Sequence, residues 1–96
     1  MLRKYEIAFL IKEGELAKAA VERIHDYFKK IKAKIVNESD MGTRQLAYPI
    51  HRNREDFRRA YYHIAKIEMD TKHIPEFERL MKFDEDIIRH MMLAGE

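Results

Sequence analysis

A chain of 96 residues, 46% hydrophobic and 38% charged with a formal net charge of +2, reads as one folded domain over residues 1–96 with a heavily charged exterior. Its composition excludes a disordered chain, and the lack of cysteine excludes disulfides, thiolate catalysis and thiolate zinc sites. The longest apolar run, Ile7 to Ile11, is too short for a membrane span or a signal-peptide core, so the expectation is a cytoplasmic protein with no membrane partner.

In chain order, YEIAFLI (Tyr5 to Ile11) alternates as a strand, with Tyr5, Ile7, Phe9 and Ile11 on one face and Glu6, Ala8 and Leu10 on the other. Both faces are largely apolar, which suits a central strand. After Glu13-Gly14-Glu15 the period becomes helical. Leu16, Ala20, Ile24, Tyr27, Phe28 and Ile31 form a stripe opposite Lys18, Glu22, Asp26 and Lys30. An extended segment then runs from about Ala33 to Tyr48 with a bend near Met41-Gly42, and HRNREDFRR follows as a loop. That loop carries Arg52, Arg54, Arg58 and Arg59 against Glu55 and Asp56, and reads either as a solvated connection or as a local contact for a polyanion. In AYYHIAKIEM the core face is Tyr61, His63, Ala65, Ile67 and Met69; Tyr62, Ile64, Lys66 and Glu68 point the other way. Asp70-Thr71 offers capping oxygens for a second helix built on Ile74, Phe77, Leu80 and Met81, with Pro75 in its first turn. DIIRHMMLA closes the chain as a strand whose parity is ambiguous, because Ile87, Met91 and Leu93 compete with Ile88 and Met92.

Strand–helix–strand twice over implies an α+β, ferredoxin-like β-α-β-β-α-β sandwich: a four-stranded antiparallel sheet with both helices on one face. Its second strand is an edge, where Pro49 is tolerated and deters pairing by another chain.

Catalysis has few candidates. Ser39, Thr43 and Thr71 stand in no nucleophile elbow, the isolated glycines form no phosphate cradle, and the five histidines show no ligand-spaced pair on one element. Neither an enzyme, a cofactor nor a metal is therefore expected. His63 reads as a strand residue, partly buried, and Asp84-Glu85-Asp86 as a solvated turn. On the face away from the helices Ala8, Leu10, Tyr62 and Ile64 adjoin, a patch of the kind that marks an interaction site. RRAYYHIAK lacks the third-strand signature with which RNA-recognition domains stack bases, so a protein partner is favoured for this patch.

GTRQLAYPI (Gly42 to Ile50), with RKYEIAFLI near the start and YYHIAKIEM in the third strand, resembles the bacterial small-subunit ribosomal protein S6 family. The family pattern of glycine, any residue, basic, polar, leucine, alanine, tyrosine and commonly proline-isoleucine falls on those nine positions. The resemblance implies the ferredoxin-like fold and a structural role in the small ribosomal subunit. It further implies binding to central-domain ribosomal RNA jointly with ribosomal protein S18, by a chain monomeric when free. Carried over residue by residue, it implies RNA contacts at Arg44 and Gln45, at Arg3, Lys4 and Tyr5, and at Arg89 in the last strand. Arg52 and Arg54 join them from the basic run, while Ala8, Leu10, Tyr62 and Ile64 await the partner. Departures from the pattern are His51, where a basic or small polar residue is usual, and Ile64-Ala65, where some members carry aromatics. The sequence ends at Glu96 without the tail of some members, which implies no tail-mediated contact. An alternative stays open from the fold alone: a regulatory module that homodimerises through its sheet and binds a small molecule.

Overall fold

The computed structural model describes residues 1–95; Glu96, and with it the expectation about a tail, lies outside the described residues. The elements are β1 (Leu2–Ile11), α1 (Leu16–Lys30), β2 (Lys34–Arg52), β3 (Glu55–Asp70), a 3-10 turn (Thr71–His73), α2 (Ile74–Phe83) and β4 (Ile87–Ala94). They build one antiparallel sheet in the order β2-β3-β1-β4, the ferredoxin-like arrangement with β1 and β3 in the centre. Among the described residues no helix is long and apolar enough to cross a membrane.

Side-chain alternation places the core. Tyr5, Ile7, Phe9 and Ile11 of β1 face the helices with Ala65, Ile67 and Met69 of β3, and all are buried. From α1 they meet Ala17, Ala20, Ile24 and Phe28, and from α2 Phe77 and Met81. Phe9, Phe28 and Phe77 form an aromatic centre with ring centroids 6.1 to 6.3 Å apart. Each such side chain contributes about 1.5–3 kcal/mol by leaving water. Leu16, expected in the stripe, is 52% exposed, because it opens the helix and Ala17 takes the inward position. Lys32 ends α1 in the left-handed region (φ 58°) while the Ala33 N–H donates to the Phe28 carbonyl at 2.8 Å. Asp70 caps the turn that follows β3 by accepting from the Lys72 N–H.

Two parts of the sheet differ from the sequence expectation. The basic stretch is not a loop: β2 continues through Arg52 and β3 begins at Glu55, so only Asn53 and Arg54 turn the chain, at φ 51° and 65°. Positive φ at both central positions makes this a tight hairpin turn matched to strand twist. The second difference is one of register. Gln45 pairs with Arg59 but Ile50 pairs with Phe57, so Leu46 to Pro49 arch out of the ladder. Leu46 and Ile50 fold back over the outer sheet face and form, with Leu10, Ala60 and Ile88, a second small core. In β4 a bulge at Ile88 resolves the ambiguous parity. Ile87 faces the main core and Ile88 the second one; beyond the bulge His90 and Met92 lie opposite Phe9 and Ile7, and Arg89 and Met91 opposite Leu10 and Ala8.

Candidate nucleic-acid and partner interface

By strand register the cations expected to touch RNA lie at three stations along the sheet: Arg54 at the hairpin tip, Arg44 and Arg89 near the middle of β3, and Arg3 and Lys4 toward its far end. Arg44 lies across from Ala60, exposed, with its Nε donating to the Met41 carbonyl at 3.3 Å. Gln45 is exposed beside it, opposite Arg59, and Arg89 of β4 lies opposite Leu10 on the outer face. Arg54 occupies the hairpin tip. Three strand spacings separate β2 from β4, so Arg44 and Arg89 flank the sheet about 14 Å apart. Arg3 and Lys4, both exposed, pair with Met69 and Glu68 at the other end, about 20 Å along β1 from Leu10. Of the remaining arginines in the basic run, Arg58 is exposed and Arg59 donates to Glu13 at 3.2 Å.

Three expected site residues are placed elsewhere by packing. Tyr5 is 7% exposed and belongs to the main core, because its side chain shares the helix-facing parity of Ile7 and Phe9. Leu10 is 2% exposed beneath Ile50 and Ile88; the returning arch covers it, so it is a core residue and offers no surface to a partner. Arg52 turns its Nη2 to the carbonyls of Lys82 (3.0 Å), Met81 (3.3 Å) and Asp84 (3.4 Å). A guanidinium there satisfies carbonyls left open at the end of α2 and complements the negative pole of that helix.

The same helix end carries a charge network that the sequence did not announce. Asp84, expected in a solvated turn, is 6% exposed. Arg23 Nε and Nη2 donate to its two carboxylate oxygens, each at 2.9 Å, the Tyr27 hydroxyl donates at 2.6 Å and the Asp86 N–H at 3.0 Å. Burial alone would raise the Asp84 pKa, but the Arg23, Tyr27 and Asp86 hydrogen bonds, with the Arg23 charge, hold it below the ordinary carboxylate value.

On the outer face Ala8, Tyr62 and Ile64 are half-buried, and β4 adds Met91 (46% exposed) and Leu93 (68%) beside them. The apolar surface is therefore displaced toward the β4 edge. Tyr48, 63% exposed on the arch, lines a shallow cleft with Tyr62, Arg89 and Met91.

A metal was not expected, yet the opposite face brings ligand types together from three elements. His25 of α1, Glu38 of β2 and His63 of β3 hold donor atoms within 4.8 Å of one another. Burial raises the Glu38 pKa, and the two imidazoles outweigh it, leaving the carboxyl below its ordinary value.

The family model for ribosomal protein S6 matches residues 4–94. Among solved structures, the chain is similar to the 30S ribosomal protein S6 from Thermotoga maritima, with a TM-score of 0.86 at 26% identity, over 99% of this chain and 89% of that one.

Proposed function

The chain belongs to the ribosomal protein S6 family, and from that premise we propose that it is a structural component of the small ribosomal subunit in the bacterial cytoplasm. It binds central-domain ribosomal RNA there together with ribosomal protein S18. The observation that carries this reading is the family match, which spans residues 4–94 and includes the arch GTRQLAYPI with its exposed Arg44, Gln45 and Tyr48.

Arg44 and Arg89, with Gln45 beside Arg44, contact one stretch of RNA backbone, and Arg54 extends that contact from the hairpin tip. Arg3 and Lys4 reach a second stretch. Recognition by two separated cation groups rests on the shape of folded RNA more than on base edges. Neutralising about four phosphates gives a log–log salt slope near −3, modest for an RNA-binding protein. With a net charge of only +2, binding by this chain alone is weak. S18 supplies the remaining area by covering Ala8, Tyr62, Ile64, Met91 and Leu93. A stable contact needs about 800 Å² from each partner, more than those five side chains present, so the interface extends past them.

Reconstitution on a central-domain RNA fragment, with and without S18, tests the proposal. The expected result is weak, salt-sensitive binding alone and much tighter binding with S18. Binding that ignores S18 would overturn the joint mechanism, and a homodimer indifferent to RNA would overturn the reading as a whole.

A further inference from the structure

The histidine cluster takes no part in the RNA or partner surfaces, since it lies on the helix-facing side of the sheet near the β2 edge. His63 is 2% exposed, and both of its ring nitrogens meet carboxylates. Nδ1 is hydrogen-bonded to Asp40, and Nε2 lies 2.8 Å from Oε2 of Glu38. The same Glu38 oxygen stands 2.6 Å from Nε2 of His25. With Nδ1 held by Asp40, Nε2 of His63 is the ring nitrogen that faces the shared Glu38 oxygen, and it does so at a buried position. Three donor atoms from three elements thus converge within 4.8 Å of one another.

We propose that His25 Nε2, Glu38 Oε2 and His63 Nε2 bind a divalent transition-metal cation of the zinc class, with Asp40 orienting His63 from its far nitrogen. Two imidazoles and one carboxylate form the donor set of a borderline cation, whereas magnesium and calcium take oxygen ligands. Ligand atoms arranged tetrahedrally around zinc sit about 3.3 Å apart, so Glu38 Oε2, now 2.6 and 2.8 Å from the two ring nitrogens, withdraws from both, and the nitrogens, within 4.8 Å of one another, settle to the same spacing. Its side chain is 27% exposed and that of His25 37%, which leaves room for this movement and opens a fourth position to water. A carboxylate on the outer nitrogen of a ligating histidine is the support such ligands commonly have. The ion clips α1 to β2 and β3, and stabilises the fold by binding only the native chain.

The test uses the full chain, stripped with a chelator, freed of it, and titrated with cobalt(II) chloride or zinc chloride. An equimolar amount of cobalt should produce tetrahedral ligand-field absorption in the visible, displaced by zinc. Zinc should raise Tm progressively and magnesium should not. His25→Ala, at a partly exposed position that the fold tolerates, should abolish the absorption and weaken zinc binding by at least about tenfold, the smallest loss usual even for a supporting residue. Glu38→Gln should behave alike, and His51→Ala, at the exposed His51–Asp56 pair, should change nothing. Absence of both the absorption and the zinc-dependent Tm rise would overturn the proposal, as would zinc affinity unaltered in His25→Ala.

Discussion

Replacing Asp84 by asparagine tests how much of this fold is held by one buried carboxylate. Four donors converge on its two oxygens: Arg23 Nε and Nη2, the Tyr27 hydroxyl and the Asp86 N–H. An amide has one acceptor oxygen and no charge, so at least two of those bonds are lost and the amide N–H₂ is turned against a donor. Each bond to a charged group is worth about 1.5–3 kcal/mol. The Arg23 side chain is 36% exposed, so water screens part of its share, and the expected loss is about 2–3 kcal/mol. For a chain of this length that lowers Tm by about 10–20 °C. The pH dependence has a definite sign. Because the native pKa of Asp84 is depressed, its contribution is complete above the unfolded-state value of about 3.9 and is lost as pH falls through the native one. Urea unfolding of both proteins should therefore give a stability gap that is constant near neutral pH and narrows in acid, since the asparagine does not titrate. A gap below about 0.5 kcal/mol, the range of ordinary surface substitutions, would refute the reasoning. So would a gap that stays constant to the acid limit of folding.

Leu10→Ala should cost about 2–4 kcal/mol in urea unfolding, because Leu10 fills the second core under the arch; a loss under about 0.5 kcal/mol would return it to the surface. Arg44→Ala should leave Tm unchanged and weaken RNA assembly, measured by filter binding with S18 present, by about 1 kcal/mol. Arg54→Gly separates fold from function: relieving a non-glycine residue at φ 65° should stabilise the hairpin by about 1 kcal/mol in thermal melts. The same change should flatten the salt dependence of RNA binding by about 0.7–0.9 in log–log slope.

What was legible in the sequence is what unbroken periodicity records. Tyr5, Ile7, Phe9 and Ile11, the Ala20-Ile24-Phe28 stripe and the Tyr61-to-Met69 alternation each mark one buried face, and the element order follows from them. Bulges were not legible. One extra residue reverses every later side chain; the insertion at Ile88 leaves no local mark, and Pro49 marks the Leu46-to-Pro49 arch only as an edge position. The basic hairpin lacked alternation because its residues beyond Phe57 are largely solvated, and Asn53-Arg54 lacks the glycine that signals such a turn. Alternation sets Tyr5 beside Ile7 and Phe9, and the burial follows that parity rather than the RNA contact that the family resemblance implies. Arg52, Asp84 and the His25-Glu38-His63 cluster depend on partners 13 to 61 residues away. Searching for ligand spacing within a single element cannot find a site assembled from three.

The composition of GTRQLAYPI follows from the arch it forms. Gly42 sits at φ 74°, where an added Cβ would meet no neighbouring atom but the backbone would be strained, so glycine here serves the register shift between Asp40 and Gly42. Leu46 and Ile50 are the feet of the arch and pack against Leu10, Ala60 and Ile88. Between the feet the chain leaves its ladder with β3, so its amides and carbonyls are open to pairing by another strand. Pro49 removes one of those donors where no bond within the sheet is sacrificed. The apolar residues thus anchor the arch, and the polar and aromatic ones, Arg44, Gln45 and Tyr48, stay exposed around it. A mobile loop would have to lose backbone freedom, about 1–2 kcal/mol per residue, before its cations met a rigid RNA surface. An arch seated on its own small core has lost that freedom during folding, which is what the proposed RNA contact by a nearly neutral protein with few charges requires.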